Sequence, residues 1–147
     1  MAMLLDKAGA LAGSHLLGLD CRPEAIAHAQ AGWFPVAALK SLAPEFQERY
    51  FEREPTRSRI CARLRETVRW QRGDLLQALA GEPPWDLLLF RNVAIYLEPE
   101  RTEVWTALGQ QLRLGGVLVT GKGERPPKGW GAQRLGPCLY YKTESPT

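Results

Sequence analysis

The sequence predicts an α/β fold with helices on the faces of a mostly parallel sheet, and three observations carry that prediction. Two short apolar runs end in polar residues, Leu16-Leu17-Gly18-Leu19-Asp20 and Trp85-Asp86-Leu87-Leu88-Leu89-Phe90 before Arg91, the pattern of buried parallel strands. Helical segments opened by proline, at Pro23 and Pro99, follow those runs. The elements then alternate as helix, strand, helix, an irregular insertion, strand, strand, helix, strand and strand.

Taken in order, residues 2–12 are rich in Ala and Leu and read as a helix closed by Gly13. The strand 16–20 follows. Pro23-Glu24 opens a helix through about Ala31, with the acid favourable to the helix dipole, and Gly32 ends it. Residues 33–41 read as a turn with a short helical piece, and 44–50 as a short helix. Over 51–66 short strands and a helix fit equally well. Val68-Arg69-Trp70-Gln71-Arg72 alternates like a strand and runs into Gly73-Asp74. After the strand 85–90, a helix from Pro99 to about Leu112 carries Val104, Leu108 and Leu112 on one face. Gly115-Gly116 turns into the strand 117–120, a loop rich in glycine and proline covers 121–131, and 134–141 closes the chain as a strand or hairpin.

Length and composition bound the function. At 147 residues, 45% hydrophobic and 24% charged, the chain is expected to be one ordinary domain. No run approaches the roughly 20 apolar residues that span a bilayer. The start meets an acid at Asp6 without a basic leader, so cytoplasmic residence is expected and membrane insertion is not. Cys21, Cys61 and Cys138 form no C-x-x-C pair, and His15 and His28 have no second ligand at metal spacing, so no metal site is expected. Arginines recur every two to four positions at Arg49, Arg53, Arg57, Arg59, Arg63, Arg65, Arg69 and Arg72. A solvated face accounts for them more readily than a docking surface, and sparse aromatics make nucleic acid the weaker partner.

Chemistry in such sheets collects at the carboxyl ends of strands. Asp20, Asp74, the pair Arg91-Asn92, and Thr120 with Gly121 fall there. Asp20 can accept the ribose hydroxyls of an adenosine cofactor, each bond to an ionised acceptor contributing roughly 1.5–3 kcal/mol. It can equally cap the Pro23 helix, and spacing leaves both readings open. For Asp74 a cap on residues 75–79 is the simpler account. Gly9-Ala10-Leu11-Ala12-Gly13 follows a helix, not a strand, and so reads as helix termination instead of a phosphate loop. The segment Phe90-Arg91-Asn92-Val93-Ala94-Ile95-Tyr96-Leu97 stands apart, because a charge at the end of a core strand is costly unless it is used.

That segment resembles the C-R-N-V-x-I-Y-F signature of the chemotaxis-receptor (CheR-type) protein-glutamate O-methyltransferases. Other pieces resemble the same family in the same order: Gly18-Leu19-Asp20-Cys21-Arg22-Pro23-Glu24-Ala25, Ala31 to Leu39, Glu48-Arg49-Tyr50-Phe51, Arg113 to Leu118, and Leu135 to Tyr140. The resemblance covers nearly the whole chain. It implies a Rossmann-like class I methyltransferase sheet lacking its first strand and glycine-rich loop, which would precede Ala2-Met3-Leu4-Leu5. It implies one partial methyltransferase domain over 1–147, with a small insertion subdomain at about 43–67.

By the same resemblance the cofactor is S-adenosyl-L-methionine. Asp20 would hold its ribose, Asp74 and Leu75 would border the adenine, and Phe90, Arg91 and Asn92 would pass under it. Arg91 and Tyr96 would face the methyl group and a receptor glutamate, the implied protein substrate. Several positions depart from the family's pattern. Arg22 stands in place of a second acid, Phe90 in place of cysteine, Leu114 in place of proline, and Lys122-Gly123-Glu124 in place of H-S-E. The expected functions are a protein methyltransferase or, with the first strand missing, a non-catalytic remnant that binds protein. An incomplete sheet also predicts self-association. A nicotinamide dehydrogenase half would use Asp20 but leaves the Arg91-to-Tyr96 signature without a role.

Overall fold

β1 (Leu16–Asp20) and β5 (Val68–Arg72) form a parallel ladder, from Leu16 opposite Val68 to Asp20 opposite Arg72. A parallel pair needs a long crossover, and the whole stretch between the two strands supplies it. Gly18 lets the pair close up: a Cβ there would lie 2.2 Å from ring carbons of Trp70. This computed structural model describes residues 1–79, 82–94 and 102–144. The chain divides into two compact units, Met1–Leu75 and Leu76–Thr147.

In the first unit the opening helix is shorter than its composition predicts. α1 (Ala2–Lys7) stops because Gly9 turns left-handed, at φ 71°. The amide of Ala10 then bonds Leu5 O and that of Gly9 bonds Asp6 O, a Schellman cap. Gly13 ends a separate 3-10 turn, Leu11–Gly13. α2 (Pro23–Ala31) runs as predicted and is closed by Gly32 at φ 68°. Leu11, Tyr50 and Leu64 form the buried cluster of this unit, with Met3, Leu5, Leu16, Phe46, Phe51 and Ile60 packed against it.

Asp6 ties α1 to α3 (Pro44–Tyr50) and α4 (Ala62–Arg65), accepting from Arg49, Arg63 and the Tyr50 hydroxyl. Its bonds from Arg63 and Tyr50 hold its carboxyl well below the usual range. Burial and the bond to Asp6 push the Tyr50 phenol up.

The stretch that reads ambiguously folds as β3 (Phe51–Arg53) and β4 (Arg57–Ile60) before α4. β4 also pairs with β2 (Trp33–Pro35), giving an antiparallel sheet in the order β2-β4-β3. Residues 33–41 are therefore partly a strand, because Trp33 and Phe34 find a partner far along the chain. The basic run is dispersed into local tethers: Arg57 bonds Glu54 and stacks on Trp33, Arg59 bonds Ala31 O, and Arg72 bonds Cys21 O.

α5 (Leu75–Leu79) leads to the second unit, a four-stranded sheet ordered β6-β7-β9-β8. β6 (Trp85–Phe90) runs parallel to β7 (Leu112–Thr120), and β9 (Leu139–Lys142) pairs antiparallel with both β7 and β8 (Ala132–Gly136). Among the described residues parallel pairing is confined to the β1-β5 and β6-β7 ladders, and the other pairs are antiparallel. Gly115-Gly116 lies inside β7, where the register slips from Trp85–Leu112 to Leu87–Val117, and so forms a bulge instead of a turn.

α6 (Thr102–Gln111) buries Val104 and Leu108, with Leu112 just beyond its end. The start expected for it at Pro99 lies outside the described residues. Phe90 packs edge-on against Trp105, and the Trp130 indole donates to Trp105 O. Lys142 is buried and donates to Gly109 O and Leu112 O, satisfying carbonyls at the end of α6. Leu118 is fully buried at 0% exposure between Leu88 and Tyr140 of the flanking strands. Leu118→Ala is expected to cost about 2–5 kcal/mol, read from the shift of a denaturant midpoint at constant slope.

Candidate functional site

In the first unit the carboxyl ends of β1 and β5 bring together Asp20, Asp74 and Leu75. The amide of Gly73 donates to Asp20 O at 3.1 Å, so the chain leaves both strands side by side. Asp20 does not cap α2: the residue in that position is Arg22, and no side chain caps the helix. Instead Asp20 Oδ1 accepts the backbone N–H of Arg22 at 2.9 Å, an Asx turn. The Arg22 guanidinium lies on the same carboxylate, with Nε on Oδ1 and Nη2 on Oδ2, each at 3.1 Å. These bonds, the guanidinium first and the backbone N–H second, hold the Asp20 carboxyl below its ordinary range, and it is ionised at neutral pH.

A carboxylate offers about four acceptor positions, and Arg22 fills three on Asp20. One remains for a ribose hydroxyl. Two more are freed when the guanidinium, on a side chain 71% exposed, swings off. The acceptor positions therefore fit the ribose of an adenosine cofactor, with Arg22 as a weak competitor. Arg22→Ala is expected to tighten binding of S-adenosylhomocysteine about two- to five-fold, the strength of an exposed ion pair, in a calorimetric titration.

In the second unit the end of β6 is organised by a residue that sequence reading passed over. Phe90 is buried and turned toward Trp105, so only its backbone can border a ligand. Arg91 and Asn92 follow and are exposed, and Asn92 adopts φ 58°, a left-handed conformation that asparagine tolerates. Glu124, 3% exposed, reaches back from the loop after β7 and collects the amides of this turn. Its Oε2 accepts from Asn92 N at 2.8 Å and Gly121 N at 2.7 Å. Its Oε1 accepts from Val93 N and Ala94 N, both at 2.6 Å.

Burial raises the Glu124 pKa, but the four amides outweigh it and hold the carboxyl below its ordinary value. Glycine is required at 121, because a Cβ there would lie 2.6 Å from Glu124 Oε2 and 2.8 Å from Asn92 Oδ1. Thr120, a candidate by position, is buried and donates from Oγ1 to Glu124 O at 2.9 Å, bracing the same loop. In the sequence Glu124 stands out only as the one acid retained where the resembled family has H-S-E. Tyr96 lies outside the described residues. Among the described residues no group of three His, Cys, Asp or Glu is placed to hold a metal, and no helix is long and apolar enough to cross a membrane.

The mixed α/β architecture is that of a Rossmann-like methyltransferase domain. The chain matches the family described as CheR methyltransferase, SAM binding domain, over residues 1–133, and it belongs to that family. S-adenosylmethionine is the cofactor of the family's domain.

Among curated proteins it is 32% identical over 128 residues to a probable biofilm formation methyltransferase WspC of Pseudomonas putida, covering 84% of this chain and 30% of that protein. It is 26% identical over 115 residues to a probable chemotaxis protein methyltransferase of Rhizobium etli, covering 75% and 43%. Identity to chemotaxis protein methyltransferase 1 of Pseudomonas aeruginosa is 28% over 116 residues, covering 77% and 42%. The chain thus spans less than half the length of these relatives.

Proposed function

We propose that this chain carries the cofactor-holding part of an S-adenosylmethionine-dependent methyltransferase that modifies glutamate side chains of a receptor protein. The observation that carries the reading is the ionised, part-exposed carboxylate of Asp20 at the end of a parallel strand, on a chain of this family. Asp20 takes the ribose hydroxyls. Asp74 and Leu75, on the adjacent strand end, border the adenine. The backbone of Phe90 and the side chains of Arg91 and Asn92 serve the methionine end and the substrate.

When bound, the cofactor supplies a methyl group on a sulfonium that leaves as a neutral thioether. A glutamate with pKa near 4.3 is already ionised at neutral pH, so this chain needs no general base. Its residues align the reacting atoms and exclude water. Arg91 suits the steering of the incoming carboxylate, because its guanidinium matches that group's planar geometry. The three-stranded antiparallel sheet with α3 and α4 supports reading about 43–67 as an insertion subdomain. The open sides of β1 and β6, each paired on one side only among the described residues, favour self-association, which sedimentation at rising concentration detects.

Titration of the folded chain with S-adenosylhomocysteine tests the reading. Micromolar binding is the expected result. A folded chain that gives no heat up to millimolar ligand would leave the protein-binding remnant as the better account.

A further inference from the structure

Among the described residues of the second unit, Glu124 is the one buried carboxylate, and its two oxygens are both spent on main-chain amides rather than on a cation. Its partners are not scattered. Three are the consecutive amides of Asn92, Val93 and Ala94, immediately after Arg91, and the fourth is Gly121 at the end of the neighbouring strand. Consecutive amides pointing into one concavity make an anion nest, and here the nest is filled from within the chain. The loop bearing Glu124 is itself closed, by Glu124 N on Gly121 O at 3.2 Å and by the Thr120 hydroxyl on Glu124 O at 2.9 Å. The left-handed Asn92 sits at the centre of this arrangement, in a backbone conformation that needs surroundings to hold it.

We propose that Glu124 is a positioning residue. Its ionised carboxylate clamps the 91–94 turn to the end of β7, and so fixes the direction in which Arg91 leaves the sheet toward cofactor and substrate. The inference rests on the functional reading above for what Arg91 meets, and on geometry alone for the clamp. A glutamine in this place has the same shape, but its NH2 would face two backbone donors where an acceptor is required. An aspartate keeps the charge on a shorter arm and restores part of the network.

The test joins two readouts on the full chain and its Glu124→Gln and Glu124→Asp variants, with Leu118→Ala as a variant weakened in the same unit but away from the nest. In hydrogen exchange under native conditions, Glu124→Gln should speed exchange of the amides of 92–94 and 121 at least about tenfold beyond any change in Leu118→Ala. Affinity for S-adenosylhomocysteine should fall at least about tenfold in Glu124→Gln and less in Glu124→Asp, while Leu118→Ala retains it. Exchange at these amides no faster than in Leu118→Ala, or an affinity in Glu124→Gln within about twofold of the unaltered chain, would overturn the proposal. If the unaltered chain shows no affinity, it is the cofactor reading that fails, and the exchange pattern alone decides the clamp.

Discussion

Replacement of Glu124 by alanine is expected to destabilise the second unit by about 3 kcal/mol or more. Four main-chain amides lose their acceptor at once, and each buried donor left unpaired costs about 1–3 kcal/mol. Water entering the vacated space recovers part of that, which is why the expected total is below the sum. The carboxylate also makes the loss pH-dependent. Its folded pKa lies below the ordinary glutamate value of 4.5, because the amides outweigh the burial that alone would raise it. The stability it contributes is therefore fully present above 4.5 and disappears as pH falls through the lower folded value. Denaturant unfolding of the unaltered chain and of Glu124→Gln should differ most at neutral pH and converge in acid. Two curves separated by the same interval at every pH would show that the carboxylate charge is not what holds the turn.

Asp20→Ala has the opposite signature, a large effect on ligand and a small one on folding. Its only described ion pair is with Arg22, whose side chain is 71% exposed, and such pairs contribute about 0–1 kcal/mol. Unfolding midpoints should barely move. Binding of S-adenosylhomocysteine should weaken about 10- to 100-fold, the equivalent of one or two hydrogen bonds to a charged acceptor. Asp20→Asn retains a single acceptor oxygen and should fall between. An Asp20→Ala variant that binds as tightly as the unaltered chain would remove this carboxylate from the site, and with it the account of why an acid ends β1.

What the sequence made legible follows from how local each signal is. β1, α2, α3, β5 and β6 each carry their own apolar run, proline start or glycine stop, and they appear where those signals put them. The opening helix was overrun, since an Ala-Leu composition continues past Gly9 while the backbone does not. β2 was hidden because three residues have no periodicity, and only pairing with Arg57–Ile60 makes them a strand. The Gly115-Gly116 bulge was equally hidden, since glycines signal a break in the ladder without saying whether the chain turns there or slips register.

Among candidate site residues, a strand ending in an acid or in Arg-Asn is visible in one dimension, so Asp20, Asp74 and Arg91 could be named as candidates. Glu124 could not, because its partners lie about thirty positions away along the chain and are backbone groups, which have no sequence identity to recognise. Two residues took on meanings that spacing left open. The guanidinium of Arg22, in place of a second acid, rests on Asp20, and Phe90, in place of a cysteine, faces the core against Trp105.

We propose that an adenosine cofactor is held at the ends of β1 and β5 by Asp20, Asp74 and Leu75. Backbone amide NMR during titration with S-adenosylhomocysteine tests it most directly. Saturable shifts are expected near residues 20–22 and 73–75, fitting one dissociation constant that rises about 10- to 100-fold in Asp20→Ala. Shifts centred instead on the β2-β4-β3 sheet, or none from a folded chain at millimolar ligand, would contradict it.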